Sequence, residues 1–275
     1  MKVKFNLILE KFENYLKYKN YCIRTIEIYK YYTNEFLNIV DKTPSHITYN
    51  DIEDYLLKYN YSSTSKQNQV ISAVKLFSRS MLKMRITKIH CERPRKKQQL
   101  PEILSRNEIL LVIKSIDNLK HRAIISFIYG CGLRISECIN AKISDINGKE
   151  QLLKIVQGKG KKDRYVPINY DLLNLLREYY KRYKPVNWLF MGQNGEQYST
   201  TSIRKILDRA VLKAGISRNI KVHYLRHSYA THLLENGVDL SYIQDILGHK
   251  KPETTRIYTQ VRKSHFKNLN LVSIN

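Results

Sequence analysis

A break in helical periodicity at residues 87–101 constrains the fold of this chain more than any other feature of its sequence. The segment reads TKIHCERPRKKQQLP and contains a basic run from Arg93 to Lys97 and prolines at positions 94 and 101. Each proline biases the residue before it towards extended structure. We therefore interpret residues 87–101 as a basic linker between a domain at 1–86 and a domain at 102–275.

Residues 1–86 have the spacing of amphipathic helices and contain no convincing strand. Apolar residues recur at helical intervals in FNLILEKFENYLKY, CIRTIEIYKYYTNEFLNIV, NDIEDYLLKY and STSKQNQVISAVKLFSRSMLK. Asn50 or Asp51 is the expected N-cap of the third helix. Four short helices with short connections predict a compact bundle.

Residues 102–275 combine helices with short strands. Six stretches have helical periodicity: SRNEILLVIKSI, HRAIISFIYGCGL, YDLLNLLREYYKRY, TTSIRKILDRAVLKAG, HYLRHSYATHLLENG and LSYIQDILG. Ser105 and Glu108 predict a capping box at the first, and a last helix is expected to begin at Pro252. QLLKIV and RYVPI are predicted to form a hairpin around QGKGKKD, with NWLFM as a candidate third strand. The predicted fold class is mainly α with a small antiparallel β-sheet, an α+β domain.

Charge is the strongest bulk property of the chain. It contains 48 Lys+Arg against 24 Asp+Glu, a formal net charge of +24, and both parts are basic. Lysine and arginine gain free energy when they release counterions from phosphates, which favours a nucleic acid partner. A codon bias towards Lys, Asn, Ile and Tyr would explain many lysines, but it does not explain the shortage of acidic residues.

Targeting and redox features favour a location inside the cell. No apolar run approaches the roughly 18 residues of a membrane span, and charges interrupt the apolar N-terminus, which argues against a secretory signal. We expect a cytoplasmic protein without a membrane partner. The four cysteines form no CxxC pair and are interpreted as isolated thiols.

Two motifs contain basic residues in turns. YGCGLRISE places Arg134 at the start of a predicted helix, where a guanidinium and free backbone N–H groups suit a phosphate. GKGKKDRYVP places Lys159 between glycines at a hairpin tip, beside Lys161, Lys162 and Arg164. Taken alone, a surface arginine and a solvated charged turn explain these two motifs better.

A third motif, HYLRHSYATHLLENG, places His223 and Arg226 on one helix face at i, i+3. A proton carrier beside a guanidinium is useful where a phosphate must be held while a proton moves. His227, at i, i+4 from His223, raises the alternative of a zinc site. That site is disfavoured because the metalloprotease motif needs Glu where this chain has Tyr224. His227 and His232 are expected to be packed or hydrogen-bonded.

The fourth motif, LGHKKPETTRIYT, contains His249 and Tyr258. With GCGLRISE, GKGKKDRYVP and HYLRHSYATHLLENG before it, the chain resembles the tyrosine recombinase (phage integrase) family, including its Xer-type members. The resemblance covers roughly residues 102–262. The N-terminal four-helix region resembles the SAM-like domain with which the family binds core sites. The resemblance implies a site-specific DNA recombinase that cuts and rejoins DNA, with integration, excision or resolution of DNA elements as its outcome.

The resemblance also implies roles for six residues that match the family pattern. Tyr258 is expected to attack the scissile phosphate, giving a 3′-phosphotyrosyl link and a free 5′-hydroxyl. Arg134 and Arg226 would clamp the non-bridging oxygens, and Lys159 would protonate the leaving oxygen. His223 would help to activate the nucleophile.

The remaining implied features concern the phosphate, cofactors and one carboxylate. His249 would hydrogen-bond the phosphate. The covalent link keeps the phosphodiester energy, so neither a cofactor such as ATP nor a metal is implied. Glu137, one turn after Arg134, is explained equally well as a side chain that orients an arginine and as an exposed helix carboxylate.

Double-stranded DNA is the expected partner, held in a C-shaped clamp by two domains without an additional arm-binding domain. The family resemblance further implies a homotetramer on two paired sites. The tail SHFKNLNLVSIN is expected to pack either on its own domain or on a neighbouring protomer. The candidate DNA contacts are Arg93, Arg95, Lys96, Lys97, Lys161, Lys162 and Arg164. Two alternatives are a type IB topoisomerase-like relaxing enzyme and a DNA-binding protein of this fold that does not cut.

Overall fold

The computed structural model of the protein describes residues 5–94, 102–156 and 163–248, apart from the side chain of Asn194. The chain divides into two compact units, residues 1–98 and 99–275. The predicted linker bounds stay predictions, because residues 95–101 lie outside the described ranges. Among the helices described, none is both long enough and apolar enough to cross a membrane.

The first unit is a bundle of four helices, as predicted. They are α1 (Asn6–Tyr18), α2 (Ile23–Val40), α3 (Tyr49–Lys58) and α4 (Thr64–Ser80). Phe12, Phe36 and Phe77 are fully buried between them. The ring of Phe77 lies edge-on to those of Phe12 and Phe36, at centroid distances of 5.3 Å and 6.4 Å. Aromatic packing therefore joins α1, α2 and α4.

The N-cap of α3 is Thr48, and the prediction of Asn50 or Asp51 was wrong. The backbone N–H of Asp51 donates to Thr48 Oγ1 at 3.3 Å, and the N–H of Thr48 donates to Asp51 Oδ2 at 2.9 Å. The two residues thus form a capping box, with Asp51 at its third helical position. The helix begins at Tyr49, before its apolar pattern starts, because the cap is set by the residues that precede that pattern.

The second unit contains seven described helices, and the six predicted helical stretches all correspond to helices. They are α5 (Arg106–Lys114), α6 (Leu119–Gly130), α7 (Ile135–Asn140), α8 (Tyr170–Tyr183), α9 (Thr200–Lys213), α10 (Val222–Glu235) and α11 (Leu240–Leu247). Residues 123–128 of α6 are all buried, so this part of the helix is enclosed on every face and lies at the centre of the unit. The capping box of Ser105 and Glu108 at α5 is confirmed. The helix expected at Pro252 lies outside the described residues.

One antiparallel sheet, in the order β1-β2-β3, accompanies these helices. Its strands are β1 (Ile146–Asn147), β2 (Leu152–Ile155) and β3 (Arg164–Pro167). The predicted hairpin strands are confirmed, with Leu153 opposite Val166 and Ile155 opposite Arg164. The candidate third strand NWLFM was wrong: Trp188 and Met191 form isolated bridges, and the third strand is β1.

The Thr48 capping box predicts a measurable difference between two neighbouring substitutions. Thr48→Ala should lower the free energy of unfolding by about 1 kcal/mol, because the first turn of α3 loses its side-chain acceptor. Asn50→Ala, at an exposed position of the same turn, should stay within about 0.5 kcal/mol of the parent protein. Chemical denaturation followed by circular dichroism measures both. A larger loss for Asn50→Ala would contradict the cap.

Candidate active site

The site is organised around one buried carboxylate, that of Glu137 on α7. Arg134 immediately precedes this helix, and its backbone N–H donates to Glu137 Oε2 at 2.9 Å. Its side chain returns to the same carboxylate, with Nη1 2.6 Å from Oε1. The i, i+3 spacing of a helix start therefore positions Arg134 through its own backbone and its own guanidinium.

Two further arginines reach Glu137 from distant parts of the sequence. Arg164, at the start of β3, donates from Nη1 to Oε1 at 3.0 Å and from Nη2 to Oε2 at 2.8 Å. Arg226, on α10, is fully buried, and its Nη1 lies 3.6 Å from Oε2. One carboxylate thus orders three guanidinium groups.

The charges of this cluster do not balance. Three arginines and one carboxylate sum to +3 − 1 = +2. Burial alone would raise the pKa of Glu137, but the hydrogen bond and charge of Arg164, followed by those of Arg134, lower it to about 2. Glu137 is therefore ionised at neutral pH, and the surplus positive charge suits an anion such as a phosphate.

The C-terminal end of α11 packs against the same three arginines. Three successive carbonyl oxygens accept from them: Ile246 from Arg164 Nε at 2.7 Å, Leu247 from Arg226 Nη2 at 2.5 Å, and Gly248 from Arg134 Nη2 at 3.4 Å. A helix leaves its last carbonyls without helical partners, and its dipole places partial negative charge there. Each guanidinium is thus oriented by the helix end as well as by Glu137.

Two glycines allow the backbone to approach this cluster. Gly132, after α6, has φ +57°, and a Cβ there would lie 2.4 Å from the Tyr229 ring. Its carbonyl accepts from Arg226 Nη1 at 2.7 Å. Gly248, after α11, has φ +62°, and a Cβ there would lie 3.1 Å from Arg164 Cδ. Both turns need the left-handed conformation that glycine adopts without strain.

His223 and His227 lie side by side at the start of α10, with ring centroids 4.2 Å apart. Partial burial lowers the pKa of His223, and the charges of Arg226 and Arg134 lower it further. Burial and the neighbouring His223 and Arg226 lower the pKa of His227 to about 3. His223 is therefore neutral at pH 7 and able to accept a proton or a hydrogen bond. His232 instead pairs with the Tyr129 hydroxyl at 2.9 Å.

A cleft of about 680 Å³ opens beside Arg134 and His223. Arg204 and Lys221, both exposed, line it with Asn219 and Asp208. The sequence did not predict either residue as part of the site, because neither belongs to a recognisable motif. Arg204 lies within α9 and Lys221 directly precedes α10. A larger groove of about 880 Å³ around Lys142 and Trp188 contains none of the predicted site residues.

The structure brings together three of the six predicted catalytic residues: Arg134, His223 and Arg226. The other three, Lys159, His249 and Tyr258, lie outside the described residues, as do the DNA-contact candidates Arg95, Lys96, Lys97, Lys161 and Lys162. Glu137, whose role the sequence left open, is buried and orients arginines.

Two of the predicted DNA contacts, Arg93 and Arg164, lie within the described residues, and they differ in exposure. Arg93 is exposed, and its guanidinium donates to Asn68 Oδ1 at 2.9 Å and to Ser72 Oγ at 3.1 Å on α4. The side chain of Arg164 is only 10% exposed. Its three nitrogens donate to Glu137 and Ile246, which places its guanidinium inside the protein, and its role as a DNA contact stays a prediction.

Two family models match most of this chain. Residues 96–265 match the model of the phage integrase family, and residues 8–88 match that of the phage integrase N-terminal SAM-like domain. The chain belongs to the phage integrase family. The resemblance predicted from four motifs is thereby confirmed, and the arginine–carboxylate cluster lies within the matched segment of this integrase-family chain.

Individual relatives agree with this membership. The chain is 36% identical to tyrosine recombinase XerD of Oceanobacillus iheyensis over 233 residues, 78% of this chain and 77% of that protein. It is 35% identical to tyrosine recombinase XerA of Pyrococcus horikoshii over 267 residues, 94% of this chain and 91% of that protein. Its fold is similar to that of a lambda integrase (75–356) dimer bound to a COC′ core site, with TM-score 0.74, 18% identity and 98% of each chain covered.

Substitution of the shared carboxylate should destabilise this integrase-family chain in a pH-dependent way. Glu137→Gln should cost about 3–5 kcal/mol at pH 7, because it leaves buried guanidinium groups without their counter-charge. The pKa of Glu137 falls from 4.5 to about 2 on folding, so its contribution is complete above about pH 4.5 and is lost as the pH falls towards 2.

Denaturation curves at several pH values between 7 and 3 measure the difference between parent and variant. The difference should be constant down to about pH 5 and shrink below it. Glu178→Gln, exposed on α8, is the matched control and should change little. A cost for Glu137→Gln that does not shrink in acid would contradict the ionised carboxylate.

Proposed function

We propose that this chain is a site-specific DNA recombinase that cuts and rejoins DNA through a covalent phosphotyrosyl intermediate. Family membership supports the class of enzyme, as do relatives that are themselves tyrosine recombinases. The observation that carries the proposal is the cluster of three arginines around Glu137, with its formal charge of +3 − 1 = +2 beside an open cleft. A phosphate within a polyanionic strand is the substrate that such a site fits best.

The proposed reaction begins with attack of Tyr258 Oη on the scissile phosphorus. A bond forms between this oxygen and phosphorus, and the bond from phosphorus to the 5′-oxygen breaks. Lys159 protonates the departing 5′-oxygen, and neutral His223 accepts the tyrosine proton directly or by way of solvent. The 5′-hydroxyl of a second strand then reverses these steps and releases Tyr258.

The arginines stabilise the charge that develops on the non-bridging oxygens. Arg134 is the accessible member, with a side chain 21% exposed at the edge of the cleft. Arg226 is fully buried, so its guanidinium has to become exposed before it meets a phosphate. His249, two residues after the last residue of α11, is proposed to bind the same phosphate.

Double-stranded DNA is the proposed partner, and a homotetramer on two paired sites is the proposed assembly. The lambda integrase structure with a similar fold is a dimer on a core site, which supports a DNA-bound assembly of this chain. The stoichiometry is measurable by mass photometry on duplexes that contain one site or two.

Covalent capture tests the nucleophile. On a nicked suicide substrate built on a site selected from random duplex DNA, the parent protein should form an adduct that survives a denaturing gel. Tyr258→Phe should form none, because the attacking oxygen is absent. Tyr242→Phe, which removes an exposed phenol from α11, is the matched control and should keep the parent rate. An adduct with Tyr258→Phe would overturn the assignment, and products that join two sites would distinguish recombination from relaxation.

Salt dependence tests the cleft as part of the DNA path. Each phosphate contact contributes about 0.9 to the slope of log affinity against log salt concentration. Arg204→Gln and Lys221→Gln should each reduce the magnitude of this slope by about one unit. Lys213→Gln should leave it unchanged, because that lysine pairs with Asp117 at 2.6 Å. Unchanged slopes for both cleft variants would remove the cleft from the DNA path.

A further inference from the structure

Arg164 lies where three parts of the site meet. It begins β3 opposite Ile155, and Lys159 lies between these two paired strands in the sequence. It reaches Glu137 on α7, beside Arg134. It also reaches Ile246 on α11, the helix that precedes His249. One side chain therefore joins the three segments that contain or lead to proposed catalytic residues.

The hydrogen bonds of Arg164 hold its guanidinium in one orientation. Two of its nitrogens form the paired, parallel bonds that an arginine makes with a carboxylate, at 3.0 Å and 2.8 Å. Its third nitrogen, Nε, donates to the Ile246 carbonyl at 2.7 Å. The planar guanidinium sets the angle between these bonds, which a lysine does not reproduce.

Arg164 also controls the ionisation of Glu137. Burial raises the pKa of this carboxyl, and the hydrogen bond of Arg164 is the largest influence in the opposite direction. Protonated Glu137 would keep one acceptor oxygen fewer for Arg134, whose Nη1 and backbone N–H both use the carboxylate. Substitution of Arg164 would therefore weaken the hydrogen bonds that hold Arg134, even if Arg164 makes no contact with DNA.

We propose that Arg164 is a positioning residue for DNA cleavage: it holds the paired strands β2 and β3, the Glu137–Arg134 pair and the end of α11 in one arrangement and does not bind DNA. This inference rests on the proposed recombinase function. A displacement of catalytic groups of about 1 Å can cost about 100-fold in rate. We therefore expect a large loss of cleavage with little loss of DNA binding.

The experiment compares Arg164→Gln and Arg164→Lys with the parent protein in single-turnover cleavage of the suicide substrate between pH 5 and 9. Arg164→Gln should cleave about 100-fold more slowly at pH 7. The acid limb of its pH profile should lie at higher pH, because Glu137 binds a proton more readily. Arg164→Lys keeps the charge and the packing of the stem, so it should fold and show a smaller loss and a smaller shift. The salt slope of DNA binding should match that of the parent protein for both variants.

Arg106→Gln is the control for a purely structural effect. Arg106 also joins two helices, since Nη2 donates to the His232 carbonyl at the end of α10 at 3.2 Å. Its loss should lower the thermal midpoint but leave the pH profile of cleavage unchanged. A rate loss for the Arg164 variants without a pH shift, as a general loss of stability would cause, overturns the proposal.

Two other outcomes overturn the proposal as well. Cleavage at the parent rate would show that Arg164 is not needed for positioning. A salt slope reduced by about one unit would make Arg164 a DNA contact. Absence of an adduct with the parent protein itself would instead overturn the recombinase function, so the two failures are distinguishable.

Discussion

The architecture of the site depends on the carboxylate of Glu137, which binds Arg134, Arg164 and Arg226. Three guanidinium groups this close would repel one another strongly without it, and burial would increase that repulsion. A single negative charge is enough to hold them together but leaves the cluster positive. The same interaction therefore provides cohesion around α7 and the surplus positive charge on which the proposed phosphate binding depends.

The end of α11 completes this arrangement from the other side. Its last carbonyls, at Ile246, Leu247 and Gly248, each accept from a different one of the three arginines. The last carbonyl groups of the helix, which have no hydrogen-bond donors within the helix, thus accept from the arginines. Each arginine in turn has a second fixed acceptor. A displacement of the end of α11 would therefore change one acceptor of each of the three guanidinium groups. These shared contacts bring together residues that lie far apart in the sequence.

Much of the fold could be predicted because helical periodicity is a local property. The spans of α2, α8 and α11 follow directly from apolar spacing, and short-range hydrogen bonds explain the α5 cap. Apart from the α3 cap, which is local, the failures occurred where contacts between distant residues decide. Ile23 and Ile39 match the apolar pattern of α2 yet are 77% and 62% exposed. The third strand is Ile146–Asn147 because β2 pairs with it, although NWLFM has the stronger strand composition.

The sequence by itself determined the order of the motifs and the positions of the helices, and its family motifs predicted that Arg134, His223 and Arg226 belong to one site. This was possible because family motifs and helical periodicity are local properties of the sequence. Only the tertiary structure decided that Glu137 is a buried acceptor and that Arg164 points inward. Both outcomes depend on partners separated by 27 and 82 residues, and no local spacing specifies which distant carboxylate or carbonyl a guanidinium will reach.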